Sequence, residues 1–147
     1  MMAEMAVEAR ILLTGLREEE GIYTKILSLS AEELKLVKEA ELEKATGVLS
    51  LKQRHLDEIG AIEGRIRPMK EKWPEIRVKL PSDSLAQFQV TLKELSDMLE
   101  RLITLERETE DTLASQISVV RRGIPVTEAE EKAKKAYGAQ KEGKKKE

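Results

Sequence analysis

Between Ser84 and Gly123 the chain places Leu85, Phe88, Leu92, Leu95, Leu99, Leu102, Leu113 and Val120 in steps built from three and four. That spacing keeps side chains on one face of an α-helix. Ser82-Asp83-Ser84 offers short oxygen-bearing side chains to the unpaired N–H groups of a first turn, and Gly123-Ile124-Pro125 ends the pattern with residues that cannot continue it. A helix of this length spans roughly 55 to 60 Å, too long for a compact ball and suited to an elongated bundle. The stripe has a polar break, because Glu106, Thr109 and Gln116 stand where the register asks for leucine, so burial there is expected to be partial.

The composition fits long helices with narrow apolar seams: 37% of the 147 residues are charged and 3% are aromatic. The formal net charge of −2 gives no global pull toward nucleic acid or membrane. The charge is unevenly placed, since seven lysines against Glu142 and Glu147 make the segment from Lys132 onward +5 and leave −7 before it. So short a basic run without interleaved aromatics reads as a solubilising end rather than a nucleic-acid or lipid anchor. No cysteine is present, which fits a reducing compartment. Glu4 and Glu8 stand where a signal peptide would need bases, and no run approaches the ~18 apolar residues of a membrane span. The expectation is a soluble, cytoplasmic protein without stable membrane insertion.

Upstream, a first helix over about 4–38 carries Met5, Ala9, Leu12, Leu16, Tyr23, Ile26, Leu27, Leu34 and Val37 on one stripe, with Arg17 to Glu20 mostly on the wet side. Gly15 and Gly21 lie inside it and allow a bend or a close backbone approach. Ser30-Ala31-Glu32-Glu33 fits a capping box, which makes Ser30 a candidate break. A second helix over about 41–67 carries Leu42, Ala45, Leu49, Leu56, Ile59, Ile62, Ile66 and Met69, and Pro68 argues for its end. Pro68, Pro74 and Pro81 with Trp73 between them make 68–83 a linker, and the third helix runs over about 84–122. The bundle domain is thus 1–125. In 126–147, Thr127 with Glu130 opens a short mobile helix that has only alanines to bury, followed by a disordered lysine-rich tail.

The inventory for chemistry is thin. A di-metal helical bundle needs Glu-x-x-His from two helices, and His55 is the one histidine, so it reads as a partly exposed helix residue beside Leu56 and not as a ligand. The glycines are scattered singly, with no phosphate-binding loop among them. No catalytic residue, metal or cofactor is expected, and the protein reads as a non-enzyme. Trp73 reads as a packing cap at one end of the bundle, with a ligand contact as the other reading. Tyr137 has no local apolar partners: either it folds back on the bundle or it is an exposed anchor for another protein, and the residues leave both open.

The run Tyr23, Ile26, Leu27 and Leu29, then Glu32-Glu33, Leu36-Val37, Leu42-Glu43, Lys52, Leu56, Ile59, Glu63 and Arg67 resembles the first helical hairpin of the FlgN family of flagellar type III export chaperones. Leu95, Leu99 and Leu102 through Leu113 and Ser115 to Val119-Val120 resemble that family's last long helix, and Tyr137-Gly138 its aromatic-glycine tail. Two departures stand out. Where the family often turns on Gly-Asp this chain has Glu39-Ala40, and where it tends to carry an asparagine in the long helix this chain has Thr109 or Glu110. The resemblance alone places the break between the first two helices near Lys38 to Glu41 in preference to Ser30. The resemblance implies a cytoplasmic chaperone that binds the terminal helices of hook-associated proteins and delivers them to the export gate.

Together these features predict an all-α fold: an elongated bundle of three long antiparallel helices with a short C-terminal helix. The cargo-binding candidates are Leu113, Ile117, Val120, Ile124 and Val126, and the export-gate candidate, carried by the resemblance, is Tyr137. The chain is expected to be a monomer or weak dimer. The rival reading is a coiled-coil homodimeric scaffold or spacer; the polar breaks at Glu106, Thr109 and Gln116 argue against a long continuous two-stranded seam, though not against a short one.

Overall fold

A computed structural model describes residues 2–121 and 135–137. The described residues are all-α and contain no strand. Helix α1 spans Met2–Lys38, α2 Leu42–Glu71, α3 Trp73–Lys79 and α4 Ser82–Arg121; residues 135–137 are also helical. The expected short helix from Thr127 and the lysine-rich tail fall otherwise outside the described residues.

The chain breaks between Lys38 and Leu42 because Ala40 adopts a left-handed conformation, φ 59°. The Glu41 N–H then donates to the Leu36 carbonyl at 2.8 Å and the Ala40 N–H to Val37 at 3.0 Å. This pair of bonds is the Schellman arrangement that satisfies the last carbonyls of a helix. It is built here on alanine, where glycine is usual. Ser30 makes no break; it lies inside α1 and is buried.

Two boundaries differ from expectation. Helix α2 passes through Pro68 to end at Glu71, beyond the expected Arg67. A proline here removes one N–H only three residues from the helix end. Met69 packs against the apolar core, and Lys70 holds Glu63 two turns back at 2.7 and 2.8 Å, so the local gain outweighs the lost bond. The expected linker 68–83 is also partly helical, because α3 occupies its middle. Pro74 sits in the first turn, where an N–H has no intrahelical partner, and Ile76 is 1% exposed. Helix α4 starts at Ser82, ahead of the expected Ser84, with the Leu85 N–H donating to the Pro81 carbonyl at 2.9 Å.

The chain divides into two compact units. Unit 1 comprises 1–27 and 54–101, and unit 2 comprises 28–53 and 102–147. The unit 1 core joins Ala9, Leu12 and Leu16 of α1 to Ile62 and Ile66 of α2, Ile76 of α3, and Phe88 and Leu95 of α4. Trp73 packs against it with its ring centroid 4.8 Å from that of Phe88. A Cβ on Gly15 would stand 2.4 Å from the Ile66 Cγ2, so the glycine is what lets α1 and α2 approach at that level. In unit 2 the core is smaller: Val37, Leu42, Ala45 and Leu113, with Leu36 and Tyr137 packed on it.

Candidate functional site

The small apolar core of unit 2 is laced with charge. Continuing the three-four spacing of α1 from Ile26 lands on Ser30, Glu33 and Val37, and on α2 from Ala45 it lands on Val48 and Lys52. All six are buried. A carboxylate or ammonium in such a place must be paired, since losing water without a partner costs several kcal/mol per ion.

Pairing is what the chain supplies. Lys52 Nζ donates to Glu33 Oε1 at 2.7 Å and also contacts Glu106 Oε1 on α4, with the Lys52 and Glu33 side chains 3% and 1% exposed. The Ser30 hydroxyl donates to Glu106 at 3.4 Å. Two carboxylates meet one ammonium, so the cluster carries a formal charge of −1. The second oxygen of Glu33 accepts a hydrogen bond from the Tyr137 hydroxyl. Burial, this hydrogen bond and the negative charges of Glu33 and Glu106 push the phenol well above its ordinary pKa, which keeps it a donor.

The polar break of α4 is thereby accounted for. Glu106 joins the charge cluster, and Gln116 Nε2 donates to the Val37 carbonyl at 2.6 Å, at the end of α1. Thr109 is 2% exposed, contrary to the expected partial burial, because its hydroxyl donates to Leu105 in its own helix at 2.9 Å and leaves only a methyl group to pack.

Of the cargo candidates, Leu113 is buried in the unit 2 core and Ile117 is half-buried. Val120 lies within α4 but its side chain is outside the description, as are Ile124 and Val126. Tyr137, the gate candidate, is half-buried on unit 2, which is the fold-back arrangement of the two that its sequence allowed. The larger apolar exposures lie elsewhere: Val78 on α3 is 73% and Val90 on α4 57% exposed in unit 1, and Ile103 on α4 in unit 2 is 51% exposed.

Unit 1 holds a second buried acid, in the stretch Arg17 to Glu20 expected mostly on the wet side. Glu19 is 3% exposed. Burial, a hydrogen bond with Glu63 and the charge of that neighbour push it up to about 8, with Lys70 opposing. Glu63 is held below the usual carboxylate range: its partial burial works the other way, but the Glu19 hydrogen bond and Lys70 prevail. At neutral pH Glu19 is therefore a proton-bearing donor to an ionised Glu63. Both Glu19 and Glu33 sit on the same three-four spacing as their apolar neighbours in α1, and following that spacing strictly through polar residues would have marked them.

His55 is half-buried with Nδ1 3.4 Å from a Glu58 oxygen, and no group of three or more histidines and acids among the described residues could hold a metal ion. Trp73 lines an apolar groove with Leu12, Leu16, Lys70, Phe88 and Leu92 in addition to packing on the core. No described helix is long and apolar enough to cross a membrane. Compared with known proteins, the chain matches no family model, no curated protein and no solved structure.

Proposed function

We propose that this chain is a flagellar type III export chaperone of the FlgN kind, working in the cytoplasm as an elongated bundle of three long antiparallel helices. It holds the terminal helices of hook-associated proteins, prevents their premature assembly and delivers them to the export gate. The reading draws on the order of residues that resembles that family along both halves of the chain. The observation that carries it is the state of the unit 2 core. Four buried apolar residues and a charge cluster are completed by Tyr137, which arrives from beyond the end of α4. A core that needs an incoming side chain to finish it is a surface that a client helix can also finish.

Leu113 and Ile117, with Val120, Ile124 and Val126 following them in sequence, remain the proposed cargo contacts, and Tyr137 the proposed gate contact. The homodimeric scaffold is the weaker reading, because Glu106 finds its partners, Ser30 and Lys52, inside one chain. Co-purification from a lysate of flagellated cells, with identification of bound proteins and a mass in solution, tests the choice. Hook-associated proteins are expected on the native chain. They are also expected on Tyr137→Ala, which loses delivery but keeps cargo. A persistent dimer indifferent to such proteins would overturn the chaperone reading.

A further inference from the structure

Unit 1 carries a groove of about 570 Å³ between α1 and α4, away from the contacts proposed above. Arg17 and Glu20, three positions apart, line it from α1; Gln87, Thr91 and Glu94, spaced by four and three, line it from one face of α4. Its two ends are chemically unlike. At one, the Arg17 guanidinium donates to the Gln87 amide oxygen at 3.1 Å, so the cation there already has a partner. At the other, the carboxyl groups of Glu20 and Glu94 meet within hydrogen-bond reach. Burial, the hydrogen bond with Glu94 and the charge of that neighbour push the Glu20 carboxyl above its ordinary range, with Arg17 opposing. Among the described residues no cation forms an ion pair with either acid.

Two meeting acids have an ordinary explanation as side chains of adjacent helices. Thr91 is what makes them a site. It is 4% exposed, lines the same groove, and has no hydrogen-bond partner for its hydroxyl among the described residues. By contrast, Thr24, Thr46, Thr109 and Thr112 each turn the hydroxyl back on the carbonyl four residues earlier in their own helix. Nor is the Thr91 oxygen sealed in the core, as single atoms of Glu19, His55 and Gln116 are. A hydroxyl neither bonded nor sealed is open to the groove that its residue lines. Glu20, Thr91 and Glu94 thus offer three acceptors, and a primary ammonium carries three donors and no acceptor. No group of three histidines and acids stands there for a metal ion. Beside them Ala86 and Val90, the latter 57% exposed, give an apolar strip for a methylene stem. Arg17 at the far end repels a second positive charge, which disfavours a polyamine and favours a single one.

We propose that this groove receives a lysine side chain from a partner protein, its ammonium donating to Glu20, Thr91 and Glu94 and its stem lying along Ala86 and Val90. The inference goes beyond the chaperone reading and does not rest on it, since every contact lies in unit 1.

The probe is lysine blocked as its N-acetyl methylamide, set against the same molecule with a trimethylated ammonium, which keeps the charge and has no donors. Binding to the full-length chain is followed by NMR through the backbone amides of 17–20 and 87–94. The lysine probe is expected to shift these amides saturably and to bind at least about tenfold more tightly than the trimethylated one, which loses its charged hydrogen bonds. Glu94→Gln is expected to weaken it at least about tenfold, and Thr91→Val, nearly the same shape without the hydroxyl, at least about threefold. No saturable shift at these amides overturns the proposal. Equal binding of the two probes also does, since diffuse charge would then be the cause, and so does an affinity unchanged in Thr91→Val. Spermidine binding more tightly than the lysine probe at the same amides overturns lysine as the occupant. If Thr91→Val loses its cooperative thermal transition, the trimethylated probe and Glu94→Gln, a change at an exposed residue, decide the matter, and equal binding in either comparison overturns the proposal.

Discussion

The hydroxyl of Tyr137 donates to the carboxylate of Glu33, 104 positions earlier in the chain, and closes a cluster in which Lys52 already bridges Glu33 and Glu106. Tyr137→Phe keeps the ring on the unit 2 core and removes only the donor. The expected cost is about 1.5–3 kcal/mol, the value of a hydrogen bond to a charged group, read as a lower denaturant midpoint with an unchanged slope. A shift below about 0.5 kcal/mol would show that water replaces the phenol without penalty.

Lys52 is the cation that allows two acids to sit in the unit 2 core. Lys52→Met removes the charge and roughly keeps the length of the side chain, leaving Glu33 and Glu106 facing each other. The expected loss is about 3–5 kcal/mol, as for a buried pair broken from one side. Adding Glu33→Gln to Lys52→Met is expected to restore part of that loss, because the second change removes the charge left unpaired. A double-mutant cycle on urea unfolding measures the coupling, and additive effects would mean that the two residues do not share one interaction.

Much of the fold can be read from the spacing of apolar residues, and what cannot follows from a few residues. The turn at Lys38 to Glu41 is invisible to turn chemistry, since Ala40 is neither glycine nor asparagine; only the resemblance pointed to it. Pro68 reads as a terminator, yet what lies beyond it, Met69 on the core and Lys70 on Glu63, holds the helix for three more residues. The charge clusters were hidden for a different reason. Glu19, Glu33 and Lys52 are residue types that usually mark a solvated face, and they are buried only because partners more than 18 positions away complete them. Sequence periodicity locates the seam but does not say that a seam position can be polar.

Glu19 gives the unit 1 core a pH dependence whose sign can be fixed. Its folded pKa of about 8 lies above its ordinary value of 4.5, so between these limits the native state keeps a proton that the unfolded chain has released. Its contribution is fully present below pH about 4.5, is lost as pH rises toward about 8, and changes no further above that. Glu63, held low, has the opposite sign, but its effect falls below its ordinary 4.5 and does not mask this window. Tyr23, raised by burial and by Glu19 and Glu63, titrates above it. Urea midpoints measured from pH 5 to 9 are expected to fall with pH in the native chain and to flatten in Glu19→Gln. A decline of the same size in both would assign the effect to other groups.

The helical glycines separate into one that packing requires and several that it does not. Gly15→Ala drives a methyl group into Ile66 Cγ2, and overpacking of this kind costs about 1–3 kcal/mol. At Gly21, Gly47, Gly60 and Gly64 an added Cβ meets nothing within 4 Å. There alanine is expected to stabilise by about 0.5–1 kcal/mol each, through the lower backbone entropy of the unfolded chain. Thermal midpoints of the five variants should therefore divide by sign, with Gly15→Ala alone below the native chain.

Ala40 supplies the last case, in which glycine should be the better residue. Its φ of 59° brings the Cβ close to a carbonyl oxygen, a cost of roughly 1–2 kcal/mol for any residue with a Cβ. The two bonds that close the helix end, from Glu41 to Leu36 and from Ala40 to Val37, use backbone atoms only and survive substitution. Ala40→Gly thus removes the strain, while the extra entropy of glycine in the unfolded chain returns part of the gain. The net expectation is a stabilisation of about 0.5–1 kcal/mol, seen as a higher thermal midpoint. Ala40→Val, β-branched in the same left-handed position, is expected to destabilise. If glycine lowers the midpoint as valine does, the turn at Lys38 to Glu41 is not closed through a left-handed residue at 40.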